Sequence, residues 1–229
     1  PAWILSEARK EHIFQCMHSG SVMMSVMASM GWICRVAGHS SHTWNEVWSN
    51  QHRKWMHFDA TGNLRYERQG VPLSTYETYH ARYVELAEDV VAFSRSDRRF
   101  SAPPRPGRVA NVSIRGTNTY MTSRSTTPSV RLRIGQDVTP SFDPQDLYYP
   151  LNQAALALAP DGDAIRVTIG TMTPSFKEFQ VRIDGGPWRR TEPGLTWELH
   201  NGTNRLEAKS VNRFGVDGPI STVVLEQAN

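Results

Sequence analysis

The 229-residue sequence contains only two cysteines, Cys16 and Cys34. That excludes a disulfide framework and allows one bridge at most. No run reaches the roughly 18–20 apolar residues of a membrane span, so no membrane partner is expected. No basic run with interleaved aromatics is present, and the net charge is only 25 − 22 = +3. A nucleic-acid partner is therefore not expected either. The arginines at Arg98, Arg99, Arg105 and Arg108 fall in a proline-rich stretch and read as a solvated connector. No initiator Met and no signal-peptide pattern precede Pro1, so the chain reads as a mature or truncated product.

What is present is a soluble globular balance, with 39% hydrophobic and 21% charged residues. The length suits one to two domains. Residues 19–31 predict a helix whose Val22, Met23, Val26, Met27 and Met30 fall on one face as core. Ser19 or Ser21 fits its start and Gly31 its end. Trp32 to Ala37, His42 to Trp48, Arg53 to Asp59 and Asp89 to Ser94 predict strands, and Pro72 to Leu86 a second helix.

The composition changes at residues 101–107, SAPPRPG, a linker signal. Two strands, Val109 to Arg115 and Val130 to Ile134, flank a Ser/Thr-rich loop. From Leu147 onward the pattern alternates: Ile165, Val167 and Ile169, then Phe179, Val181 and Ile183. Asp184-Gly185-Gly186, Asn201-Gly202 and Asp217-Gly218 mark hairpin turns, and the spacing predicts a sandwich of about seven strands. Asn111-Val-Ser and Asn201-Gly-Thr match a glycosylation sequon that is common by chance. The expected division is a core over 1–100, a Pro/Ser/Thr-rich connector with short strands over 101–145, and a β-sandwich over 146–229.

The chemistry concentrates in HTWNEVWSNQHRKWMHFDATGN, residues 42–63. A turn centred between Asn50 and Gln51 pairs residues whose numbers sum to 101. His42 then faces Asp59, Trp44 faces His57 and Glu46 faces Trp55, all on one side of the hairpin. A His oriented by a carboxylate is two-thirds of a nucleophilic triad. Cys16 supplies the third member: it stands just before the predicted helix, where unsatisfied N–H groups and the helix dipole favour a thiolate. Its backbone N–H is also placed to stabilise an oxyanion.

Cys16 before a helix, Gly31 at its end, Arg35 on the next strand, His42-x-Trp44-x-Glu46-Val47 and Lys54-Trp55-Met56-His57-x-Asp59 occur in this order. In these features residues 15–59 resemble the transglutaminase-like cysteine superfamily, especially its peptide N-glycanase branch. Weaker similarity runs to about Asp97 through Pro72-Leu73 and Val91-Ala92-Phe93-Ser94. Met17-His18-Ser19-Gly20 departs from the small and then acidic or polar residues usual after that family's nucleophile. Upstream zinc-binding cysteine pairs, frequent in that branch, have no counterpart here.

The resemblance implies an α+β papain/transglutaminase-like core, a helix packed on an antiparallel sheet. It also implies a triad of Cys16 as nucleophile, His42 as base and then acid, and Asp59 as orienter. It implies no cofactor and no metal. Trp44, Trp55 and His57, on the same face, are the expected substrate-binding residues. The C-terminal pattern is similar to the immunoglobulin- or fibronectin-III-like modules of bacterial secreted proteins. There Trp188 and Trp197 read as core or as a sugar platform. The expected setting is secreted, periplasmic or extracellular. Oligomeric state is not legible.

Three functions fit. The first is a thiol-dependent hydrolase (amidase, peptidase or deglycosylating enzyme) acting through an acyl-enzyme on a protein, peptide or glycoconjugate. The second is a polysaccharide lyase or hydrolase with His42 as its proton-transfer residue. The third is a non-catalytic binding protein with a degenerate site.

Overall fold

A computed structural model describes residues 2–10, 15–94, 98–117, 129–136, 138–139, 143–148, 150–173 and 175–227. The chain divides into two compact units, Pro1–Tyr149 and Pro150–Asn229.

The first unit begins with two helices, α1 (Ala2–Ala8) and α2 (Cys16–Ser29). Four strands follow: β1 (Cys34–His39), β2 (His42–Ser49), β3 (Lys54–Phe58) and β4 (Arg65–Arg68). Next come β5 (Val71–Pro72), α3 (Thr75–Tyr83), β6 (Val90–Phe93), β7 (Arg99–Ser101), β8 (Val109–Thr117) and β9 (Ser129–Gly135). Two antiparallel sheets result, in the orders β3-β2-β1-β8-β9 and β5-β4-β6-β7.

The fold differs from the expected α+β papain/transglutaminase-like core followed by an immunoglobulin-like sandwich. It is mostly β, with 48% of residues in strands, 17% in helices and several antiparallel sheets. Two segments explain the difference. The stretch expected as a connector with short strands over 101–145 holds both expected strands, and they pair inward: β8 with β1 and β9 with β8, completing the first sheet. Val112, Ile114, Leu132 and Ile134 are buried there because strand alternation turns them to one face, against tyrosines of α3. The Ser/Thr-rich loop between these strands lies largely outside the described residues, as do residues 95–97 at the end of the expected similarity. The second segment is the expected helix Pro72 to Leu86, which shortens to α3. Pro72 pairs with Glu67 in β5 instead. The helix starts one turn later at a reciprocal cap: Ser74 Oγ accepts from Glu77 N, and Glu77 Oε2 accepts from Ser74 N.

Helix α2 packs on the sheet by part of the stripe its sequence suggests: Met23 and Met27 lie half-buried against the sheet core. Gly20 and Met24 are its buried residues, whereas Val26 and Met30 are 47% and 54% exposed. Gly20 sets the rotation. A Cβ there would come 3.3 Å from Asn45 Oδ1 on β2, so the helix approaches β2 through its smallest residue. Met24 then fills the space over Cys34, Val36 and Val47. Gly31, at φ 77°, ends the helix as expected.

The second unit contains β10 (Ala155–Asp161), β11 (Ala164–Gly170), β12 (Phe176–Ile183), β13 (Arg189–Thr191), β14 (Gly194–Glu198), β15 (Gly202–Asn212) and β16 (Ser221–Gln227). They form sheets β10-β11-β14 and β13-β12-β15-β16, which share a core around Val167, Phe179, Val181, Trp197 and Leu206. Trp197 is fully buried, so it belongs to the core. Trp188 carries Arg182 and Lys209 over its ring, each 4.8 Å from the centroid. Asp184-Gly185 and Asp217-Gly218 do lie between paired strands. Asn201-Gly202 does not: it joins β14 to β15, which belong to different sheets.

Candidate functional site

Cys16, His42 and Asp59 come together at the end of the β1–β2 hairpin. The β2–β3 register is not the symmetric one. Asn45 faces Phe58, Glu46 faces His57 and Trp48 faces Trp55, so paired numbers sum to 103. The loop Asn50–Arg53 has four residues rather than two, with Arg53 at φ 51° and the Trp48 indole donating to Asn50 Oδ1. The slip is by two residues, an even number, so every side chain keeps its face. His42 reaches Asp59 along the diagonal instead of directly across, with Nε2 2.7 Å from Oδ2. The other carboxylate oxygen, Oδ1, accepts from the backbone N–H groups of Thr61 and Gly62, which fixes its direction.

Cys16 is the first residue of α2 and is partly buried. Burial raises its thiol pKa, but hydrogen bonds to His42 and from the Thr43 backbone outweigh that and bring the thiol below its ordinary value. Burial pushes His42 down in turn, and its hydrogen bonds to Asp59 and Cys16 more than compensate, so the imidazole lies above its ordinary value. Both shifts favour the thiolate–imidazolium pair. Nε2 is engaged by Asp59, leaving Nδ1 as the ring nitrogen for the thiol. The neighbours of Cys16 find a local role: His18 Nδ1 accepts from Gln15 N and closes the start of the helix. Cys34 is buried outside any disulfide, donates its thiol to Met24 O, and is pushed up to about 12 by burial. No disulfide blocks Cys16.

Trp44, Trp55 and His57, expected to contact substrate, are 2%, 1% and 5% exposed. They lie beneath the site and offer almost no surface. The Trp44 indole donates to Thr75 Oγ1 at 2.8 Å, and its ring centroid lies 5.9 Å from that of His42. His57 Nδ1 is 3.3 Å from the same hydroxyl, and burial lowers its pKa to about 4, so it stays neutral.

A buried ion pair supports this floor. Arg35 and Glu46 face each other across β1 and β2, with Nε donating to Oε2 at 2.8 Å. The guanidinium lies 4.0 Å from the Trp55 ring centroid and 4.8 Å from that of Tyr148. Glu46 Oε1 accepts from Thr75 N and Tyr148 Oη, tying α3 and residue 148 to the hairpin. Sequence spacing offered a signal for Arg35 and Glu46, which mirror each other about Ser40-Ser41. It offered none for Tyr148, 102 residues from its partner. Thr43 and His39 were also missed, although both adjoin His42 through the hairpin.

Among the described residues no group of three or more His, Cys, Asp or Glu side chains is arranged to hold a metal ion. No described helix is long and apolar enough to cross a membrane. No protein-family model and no curated protein matches the chain.

Proposed function

We propose that the protein is a thiol-dependent hydrolase that cleaves an amide or related acyl bond through a thioester on Cys16. One arrangement carries the reading: Asp59 holds His42 Nε2 at 2.7 Å, and the Cys16 thiol adjoins the same imidazole, which lowers the thiol pKa while its own is raised. The order Cys16, His42, Asp59 is that of the transglutaminase-like cysteine superfamily, which adds support. The reading stands on these side chains and not on the overall fold.

In the first step the Cys16 thiolate attacks the substrate carbonyl carbon and a C–S bond forms. The negative charge on oxygen faces the first turn of α2, where the Cys16 N–H has no acceptor within the helix. The C–N bond then breaks as His42 gives its proton to the leaving nitrogen. Water enters, His42 takes one of its protons, and the hydroxide carbon–oxygen bond replaces C–S. Asp59 holds the imidazole throughout and stabilises its charged form. The substrate class is a peptide, protein or glycoconjugate amide.

Intact-mass spectrometry after mixing with 4-nitrophenyl acetate tests the reading. A single acetyl adduct that maps to Cys16 and disappears in Cys16→Ala is expected. Absence of any adduct on Cys16 in the wild type overturns it. Polysaccharide cleavage that survives Cys16→Ala but not His42→Ala would replace it with the proton-transfer reading.

A further inference from the structure

Two depressions lie near Cys16 and His42, one lined almost wholly by apolar residues and the other holding an arginine. One is a groove of about 440 Å³ between α1 and α2, lined by Ile4, Leu5, Ala8, Val22, Met23 and Ala60, with Ser19 beside them. Ser19 lies one turn along α2 from Cys16, on the same face, and Ala60 follows Asp59. The other is a cleft of about 340 Å³ lined by His39, Ser40, Asn111, Ser113 and Arg131. The His39 ring centroid is 6.2 Å from that of His42.

The sheet register connects the cleft to the nucleophile. Thr43, whose backbone and side chain help lower the Cys16 thiol, faces Gly38; Gly38 faces Ser113; Ser113 faces Arg131. These four residues form one row across β2, β1, β8 and β9 on the side where α2 packs. Gly38 carries no side chain, so nothing rises between Thr43 and Ser113. A Cβ at that position would stand 2.7 Å from His42 O. Arg131 is exposed at the end of the row and forms no ion pair with a described residue. It lies two strand spacings, about 10 Å, beyond Gly38.

We infer that the substrate has an apolar residue on the acyl side of the scissile amide and an anionic residue on the amine side. This inference rests on the thioester mechanism above. His42 must face the leaving nitrogen to protonate it, so the amine portion runs toward His39 and the cleft. The acyl portion, bound to sulfur, lies over α2 and its apolar groove. Arg131 selects a carboxylate on the amine side. The reaction products are an apolar C-terminal carboxylate and an acidic N-terminal amine.

A peptide series of the form acetyl-Ala-X-Y-Ala-amide, with X Leu or Asp and Y Glu, Gln or Lys, tests this with the full chain. Leu-Glu is expected to be cleaved with kcat/KM roughly 5-fold or more above Leu-Lys, the scale of an exposed charge contact. Arg131→Glu is expected to reverse that ratio, and Val22→Asp to lower cleavage of every Leu peptide. Iodoacetamide labelling of Cys16 in each variant checks that the nucleophile is intact. Cleavage with an unchanged Glu/Lys ratio in Arg131→Glu overturns the inference while leaving the thiol mechanism standing. Acetylation of Cys16 by the ester with no peptide of the series cleaved also overturns it. Failure of both probes removes the mechanism and the inference together. Peptide binding to Cys16→Ser, followed by NMR, gives an activity-independent check: Leu-Glu should bind more tightly than Leu-Lys, and equal binding contradicts the assignment.

Discussion

His42 Nε2 and Asp59 Oδ2 lie 2.7 Å apart although the hairpin does not place the two residues opposite each other. Continuing the ladder from Asn45 and Phe58 sets Trp44 beside Asp59, so the pair bridges a diagonal. The contact depends on three local devices: the four-residue loop that sets the register, the Trp44 ring near His42, and the Thr61 and Gly62 amides that aim Asp59.

Asp59→Asn removes the charge from this diagonal. Burial depresses the His42 imidazole, and the Asp59 hydrogen bond is the largest influence raising it. The His42 pKa measured by NMR titration is therefore expected to fall in the variant. Turnover should fall by about 10²–10⁴, the usual scale for impaired acid–base catalysis. An unchanged His42 titration would show that Asp59 does not govern the imidazole.

The Arg35–Glu46 pair gives a second expectation. Glu46 is fully buried and holds Arg35, Thr75 N and Tyr148 Oη at once. Glu46→Ala leaves an uncompensated guanidinium and should destabilise the first unit by about 3–5 kcal/mol in urea denaturation. Arg35→Met combined with Glu46→Leu should recover most of that loss, because an apolar pair removes both charges. A loss under about 1 kcal/mol for Glu46→Ala would mean the network contributes little.

His57 sets a pH dependence. Its folded pKa is lowered by burial from 6.5 to about 4. The unfolded chain therefore takes up the proton first as pH falls. The stabilising contribution is intact above the unfolded value and is lost as pH drops from about 6.5 toward 4. Between about pH 7 and pH 5 this amounts to about 2 kcal/mol. His42 shifts in the opposite sense, so the comparison is wild type against His57→Gln under identical conditions. The variant should lose this part of the acid sensitivity, and identical slopes would contradict it.

Much of the site was legible because it is local. A hairpin turns numbers into neighbours, and an error of two in the register left His42, Trp44 and Asp59 on one face. The α2 stripe holds for Met23 and Met27 but not for Val26 and Met30, whose hydrophobicity alone suggested burial, because Gly20 decides the rotation by its size. The fold class failed for a non-local reason. Nothing in SAPPRPG or the strands after it tells that β8 will pair with β1, more than 70 residues earlier. The same pairing sets Ser113 and Arg131 in one row with Gly38 and Thr43. Burial likewise turned Trp44, Trp55 and His57 from substrate contacts into a floor.

The central claim is that Cys16 is activated by His42. The rate of Cys16 alkylation by iodoacetamide against pH, in wild type and His42→Ala, tests it most directly. In the wild type the midpoint of the rate rise is expected below the ordinary thiol value, about 8.5. In His42→Ala the midpoint should move upward. A wild-type midpoint at the ordinary thiol value, unmoved by His42→Ala, would contradict the claim.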